Sequence, residues 1–173
     1  MQAIVSVTDD WGIGWQGKLL VKNANDMLFF RNMTLDKTVI SGETTFRSFA
    51  NTFLWRRHHI VLTNDQDFTP RDADVDVAHS IDEVLDMVSD TDPDDVWLIG
   101  GASLYEQMLD MCDVAYVTVN HVTPPADAFF PDIDARPNWS HTGTVAKDVT
   151  GDGIAYEIRR YENDIPHRRH PRP

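Results

Sequence analysis

Cysteine is nearly missing from this chain: among 173 residues only Cys112 is one. A lone thiol forms no internal bridge, so a disulfide-stapled fold is excluded and a reducing, cytoplasmic setting is expected. Cys112 lies in an apolar run and reads as a core thiol rather than a catalytic one. Positive charge is scarce too, with 15 Lys and Arg against 28 Asp and Glu and a formal net charge of −13. Phosphate contacts need a basic surface, so no nucleic acid is expected as a partner. The acidity serves solubility or a saline setting, and the sequence does not choose between them. No apolar run approaches the ~20 residues that span a bilayer, so no membrane partner is expected. The short apolar stretch of MQAIVSVTDD has no basic segment ahead of it and reads as a first strand, not a leader. Internal repeats, low-complexity linkers and coiled-coil segments are all missing, and a monomer is expected. With 42% hydrophobic residues, the length suits one domain with a sizeable core. That domain is expected over residues 1–162, followed by a disordered basic tail over 163–173 that ends in HRRHPRP.

The most informative stretch is DVWLIGGASLYEQML, from Asp95 to Leu109. Val96 to Ile99 form a short apolar run of the kind buried on both faces of a sheet. Gly100 and Gly101 follow, with no side chain to obstruct a ligand or another backbone. Leu104, Tyr105, Met108 and Leu109 then recur at helical spacing. A glycine turn opening a helix offers free N–H groups and a positive dipole end, where phosphate binds readily; an unliganded tight turn has the same sequence.

Elsewhere the pattern predicts strands over Ala3–Thr8, Lys37–Ser41, His59–Thr63 and Val75–Ala78. It predicts helices over Asn25–Thr34, Glu43–Phe49 and Ser80–Ser89, the last opened by a capping box of Ser80 and Glu83. Asp9–Ala24 reads as an irregular loop. Three strands without intervening helices close the chain: Ala115–Asn120, Trp139–Ala146 and Ile154–Tyr161, the last two joined by a TGDG turn. Strands alternating with helices, then strands alone, predict an α/β fold with a mostly parallel sheet, flanking helices and an antiparallel C-terminal edge. Ligands bind such sheets at the carboxyl ends of the strands, where Gly14, Gly42 and Gly100–Gly101 fall.

Seven segments in order, WGIGWQGKLL, NDMLFFRNMT, KTVISGETT, HHIVLT, VWLIGGASLYEQML, YVT and AFFPDID, make the chain resemble the dihydrofolate reductases over about Met1 to Tyr161. The resemblance implies a central eight-stranded sheet and reduction of dihydrofolate to tetrahydrofolate by a nicotinamide cofactor. It gives Asp26, otherwise an ordinary first-turn acid favouring the helix dipole, the role of the carboxylate facing the pterin. There it favours protonation of the nitrogen next to the carbon that receives hydride. A partly buried carboxylate in an apolar cleft should have a raised pKa, which suits that task. Thr118 matches the threonine that hydrogen-bonds this acid; alone it is a plain strand threonine. Phe30, four residues after Asp26 and so on the same helix face, is implied to stack on the substrate with Ile4, Val5, Met27, Phe49, Leu54 and Ile99. On the residues alone these read as core. Arg57 matches the arginine pairing with the substrate α-carboxylate, a bidentate task suited to its fork, although neighbouring Arg56 leaves room for a slip of one residue.

For the cofactor, the resemblance implies contacts at Gly100, Gly101, Ala102, Ser103, Leu104 and Tyr105, and phosphate contacts at Gly42, Thr44, Thr45, Thr63 and Asn64. Ile13 and Gly14, with the loop through Leu20, are implied to close over the nicotinamide and exclude water. No metal is expected. Three positions depart from the family. Glu43 stands where an arginine usually meets the 2′-phosphate of NADPH. It either accepts from a free ribose hydroxyl, as acids do in NAD sites, or points to solvent. Thus NADPH is expected as donor, with NADH serving comparably. Ala24 replaces a proline, which lowers rigidity where the helix starts, and Val21 replaces a tryptophan that in the family helps hold an active-site water. Two alternatives stay open: a related reductase of another pterin or of the riboflavin pathway, and a noncatalytic folate- or nucleotide-binding relative.

Overall fold

The computed structural model describes residues 1–49 and 55–165. Its strands are β1 (Gln2–Thr8), β2 (Gly12–Gly14), β3 (Thr38–Gly42), β4 (His58–Leu62), β5 (Val75–Ala78), β6 (Val96–Gly100), β7 (Val114–Asn120), β8 (Ala128–Phe129), β9 (Trp139–Val149) and β10 (Ala155–Asn163). Its helices are α1 (Ala24–Thr34), α2 (Glu43–Ser48), α3 (Ile81–Met87) and α4 (Ala102–Met108). Eight strands form one sheet in the order β5-β4-β3-β6-β1-β7-β10-β9. The six from β5 to β7 in that order run parallel, and β10 pairs antiparallel with both β7 and β9. The expected mixed sheet with its antiparallel C-terminal edge is therefore present.

Strand alternation divides the core in two. Ala3, Val5 and Val7 of β1 face Leu98 of β6 and the buried Leu104, Tyr105 and Met108 of α4. Ile4, one residue out of phase, joins Val39, Trp97 and Ile99 on the opposite face, against Phe29, Phe30 and Met33 of α1. All five residues of β6 are buried, as its unbroken apolar run demands for a strand between β3 and β1. α1 is different: within it only Thr34 is fully buried, and Met27 and Leu28 are each 53% exposed. A helix that leaves so much of its apolar surface uncovered lines a cleft rather than closing a core.

The chain leaves β1, runs outward through β3, β4 and β5, and returns to β6 beside β1 before continuing to β7. The order reverses around β1 and β6, so the carboxyl ends of these strands form the crevice expected of such sheets.

Four local readings are revised. Gly12–Gly14 and Ala128–Phe129 pair as a small antiparallel sheet inside what reads as irregular loop; strands this short carry no periodic signal. β9 runs on to Val149, well past Ala146, because β10 continues to pair it up to the turn. Ser80 accepts the Glu83 N–H at 3.1 Å, but the Glu83 carboxylate reaches past it to the His79 N–H at 2.8 Å, so the box is offset by one residue. Order also passes residue 162: Asn163 closes β10, and the Asp164 N–H donates to the Asn138 carbonyl at 2.8 Å. Residues 166–173, most of the expected tail, lie outside the described residues, as does Leu54.

Candidate active site

Asn23 caps α1: its side-chain oxygen accepts the Asp26 N–H at 3.0 Å, which sets Asp26 in the first turn, facing the sheet. The Thr118 hydroxyl donates to Asp26 Oδ1 at 2.6 Å. Thr118 is the register partner of Ser6 on β1, and the Ser6 hydroxyl serves the same carboxyl. Burial among apolar neighbours pushes the Asp26 pKa up, and the two hydroxyls pull it partly back by favouring the charged form. The result is a carboxyl suited to holding a proton nearer neutrality than an exposed aspartate does.

Ile4, Phe30, Phe49 and Ile99 assemble beside Asp26 on the α1 face of the sheet. Met27 is next to them but half exposed. Val5 is not with them: strand alternation turns it to the opposite face, into the core with Ala3 and Val7. Arg57 is buried at the far end of α1. Its Nε donates to Thr34 Oγ1 at 3.0 Å, and its terminal nitrogens donate to the Trp55 carbonyl at 3.1 Å and the Arg31 carbonyl at 3.4 Å. Its guanidinium carbon lies 5.9 Å from the centre of the Phe30 ring. Burial lowers the Arg57 pKa, and the nearby Arg31 adds to this. Arg56 instead turns outward and makes a bidentate pair with Asp36 at 2.6 and 3.0 Å. Of the two arginines, Arg57 is the one aligned with the cleft.

Gly42, the last residue of β3, and Gly101, just after the neighbouring β6, are the N-caps of α2 and α4, and among the described residues neither helix receives a side-chain cap. Their first-turn N–H groups, including those of Thr44, Thr45, Ala102 and Ser103, are thus free to meet phosphate. A Cβ on Gly101 would stand 3.1 Å from Thr45 Oγ1, so the two helix starts approach closely. A Cβ on Gly100, where φ is +109°, would stand 2.9 Å from the Tyr105 ring. A ring-and-diphosphate cofactor fits this cradle, because the backbone is bare where it must approach. Leu104 and Tyr105 contribute from behind: both side chains are core, and the Tyr105 hydroxyl donates to the Ile4 carbonyl at 2.6 Å.

The loop after β1 is folded inward. A Leu20 methyl carbon lies 2.9 Å from where a Gly12 Cβ would be. The Phe130 and Asp127 N–H groups donate to the Trp11 and Gly14 carbonyls at 2.8 and 2.9 Å, and Ile13 packs on the core between them. At the other end of the cradle, the Glu43 carboxylate accepts from Thr63 Oγ1 at 2.8 Å and from Arg47 Nε at 2.9 Å. Those hydrogen bonds, Thr63 first, lower its pKa. His79 Nδ1 sits 2.9 Å from the Thr63 carbonyl, and Asn64 is exposed beside it.

Sequence reasoning missed Ser6, Asn23, Arg47 and Asn120. Asn23 had a legible signal, an Asn three residues before the first helical acid, and Asn120 another, a polar residue in phase with Thr118 on an apolar strand.

The chain matches a family model described as dihydrofolate reductase over residues 1–163. It is 34% identical over 122 residues to a dihydrofolate reductase of Enterococcus faecium, a span covering 70% of this chain and 72% of that protein. A dihydrofolate reductase of Staphylococcus aureus strain Mu50 is 33% identical over 119 residues, covering 69% of this chain and 70% of that one. Among solved structures, dihydrofolate reductase from Enterococcus faecalis, complexed with NADP(H) and RAB-propyl, superposes with a TM-score of 0.80 and 30% identity, covering 94% of this chain and 95% of that one.

Proposed function

The chain belongs to the dihydrofolate reductase family, and from that premise we propose that Asp26 is the acid of its catalytic centre. The reaction is reduction of dihydrofolate to tetrahydrofolate with NADPH. Hydride joins the carbon of the pterin C=N bond and a proton joins the nitrogen, so a C–H and an N–H bond form as the double bond is lost. Bound NADPH supplies the hydride. The Asp26 carboxyl hydrogen-bonds the ring amide and amino group and favours protonation of the ring nitrogen, a task suited to its raised pKa. Thr118 and Ser6 hold that carboxyl in place. Ile4, Phe30, Phe49 and Ile99 form an apolar wall that keeps water off the reacting bond. Arg57 receives the substrate carboxylate at the far end of α1. The free N–H groups after Gly42 and Gly101 hold the cofactor phosphates, and the loop from Ile13 to Leu20 covers the nicotinamide.

The observation that carries this reading is the Asp26 carboxyl itself, partly buried beside an apolar wall and bonded to Thr118 at 2.6 Å. We read Glu43 as weakening the advantage of NADPH over NADH, since its fixed negative charge opposes a 2′-phosphate while Arg47 balances part of it. The setting is read as a cytoplasmic monomer, in keeping with the buried, single Cys112. Among the described residues no helix is long and apolar enough to cross a membrane.

The test is steady-state oxidation of NADPH and of NADH by the purified protein with dihydrofolate, alongside Asp26→Asn. Turnover that collapses in the variant supports the assignment. An unchanged rate in Asp26→Asn overturns the role of the acid.

A further inference from the structure

Two buried side-chain amides lie directly behind the acid. Asn23 is 3% exposed and Asn120 is 1% exposed. Asn23 Nδ2 donates to Asn120 Oδ1 at 3.0 Å, and Asn120 Nδ2 donates to the Val7 carbonyl and to Ser6 Oγ, both at 2.9 Å. The carbonyl of Val7 only accepts, so it fixes which end of the Asn120 amide faces β1. The remaining Asn120 oxygen then fixes Asn23, and the Asn23 oxygen is left to cap the Asp26 N–H. Because Ser6 Oγ accepts from Asn120, its own proton is free for the Asp26 carboxyl. The direction of every bond in this chain follows from one backbone carbonyl.

The pair also touches the loop. Leu20 and Val21 line the same small cavity, about 10 Å³, as Ser6 and Asn120. Ala24 puts no restraint of its own on the backbone where the loop enters α1, so the position of that turn falls to the amide of Asn23.

Resting on the reading of Asp26 as the acid, we propose that Asn23 and Asn120 act as a single positioning unit, which sets where the Asp26 carboxyl stands and ties the loop entering α1 to β7. Neither amide touches the substrate. Burial makes the two amides interdependent: removing Asn120 leaves the Asn23 amide without its acceptor, and removing Asn23 leaves the Asn120 oxygen without its donor.

Two substitutions separate this role from simple capping. Asn120→Val removes the amide. Asn23→Ser keeps an oxygen for the Asp26 N–H but is too short to reach Asn120. Both, their double variant and Asp26→Asn are compared by single-turnover hydride transfer across pH, with KM values and thermal melts. Each single variant should slow transfer at pH 7 by about ten- to a hundredfold, the scale of a slightly misplaced reacting group, while KM for NADPH holds. In Asn120→Val the alkaline limb of the profile should also move to higher pH, because Ser6 loses the donor that aims it. The double variant should be no slower than the worse single. Unchanged rate and limb, or losses that add and simply follow the melting temperature, overturn the unit. If Asn120→Val melts below the assay temperature, Asn120→Ser is judged by the same criteria. An Asp26→Asn protein with full activity would defeat the acid itself. A dead Asp26→Asn beside normal amide variants would defeat only the unit.

Discussion

The Thr118 hydroxyl meets Asp26 Oδ1 at 2.6 Å across a separation of 92 residues, joining strand β7 to the first turn of α1. The bond favours the charged carboxylate, whereas burial, the larger influence, favours the neutral acid. Removing the hydroxyl in Thr118→Val therefore leaves burial less opposed and raises the pKa further. Activity that depends on the protonated acid should persist to higher pH, and a pH profile of hydride transfer reads the displacement directly.

Asp26→Asn should lower turnover by about 10²- to 10⁴-fold, the usual contribution of general acid–base catalysis. The same change should raise the melting temperature. A carboxyl whose folded pKa lies above its ordinary 3.8 keeps its contribution to stability below that value and loses it as pH rises through the raised one. Melting curves of the two proteins should thus converge in acid and separate toward neutral pH, with the asparagine form the more stable.

Glu43→Gln keeps an oxygen for Thr63 and removes the charge that Arg47 balances. The wild-type kcat/KM values for NADPH and NADH should lie within about tenfold of each other, since one partly exposed charge already paired with Arg47 is screened by solvent and salt. In the variant the ratio should move toward NADPH, more so at low salt. A wild-type preference for NADPH of several orders of magnitude would reject the role given to Glu43.

Arg57→Leu and Arg56→Ala should behave differently although they are neighbours. Arg57 is buried and tied to the end of α1, so its loss should raise KM for dihydrofolate with little change in kcat and also lower the melting temperature. Arg56 forms an exposed pair with Asp36, and its removal should leave both the melting temperature and KM nearly unchanged.

The two glycines of the cradle should also separate. Gly100→Ala places a Cβ 2.9 Å from a buried ring at a φ of +109°, and should reduce stability. Gly101→Ala meets only Thr45 Oγ1 at 3.1 Å, a side chain that yields. Its effect should appear as a higher KM for NADPH with a nearly unchanged melt.

Elements with a long apolar signal were legible before the structure. The run in β6, the alternation in β1 and the helical spacing of α4 each announced themselves, and the ordered motifs drew attention to Asp26 and Thr118, which the fold brings within 2.6 Å. What stayed hidden depends on contacts between distant segments. The pairing of β2 with β8 joins strands too short to show a period. The choice between Arg56 and Arg57 rests on which one Asp36 draws outward, and the Asn23–Asn120 bond joins residues 97 apart. The family resemblance implies a place for Val5 in the cleft, and the two-residue period of a strand sends its side chain to the other face.

Helix α1 carries one grip at each end: Asp26 in its first turn and, eight residues on, Thr34, which receives Arg57 Nε. At about 1.5 Å per residue these ends stand about 12 Å apart. The helix is therefore a caliper. On the roles proposed for Asp26 and Arg57, a molecule is held at both jaws only if its ring and its anionic tail are separated by that span, and a truncated one forfeits a jaw. The gap cannot be retuned by simply adding or deleting a residue, because each one also swings the helix through about 100° and turns Asp26 off the sheet. Length and chemistry are thus gauged by one part, and selection on either constrains the other.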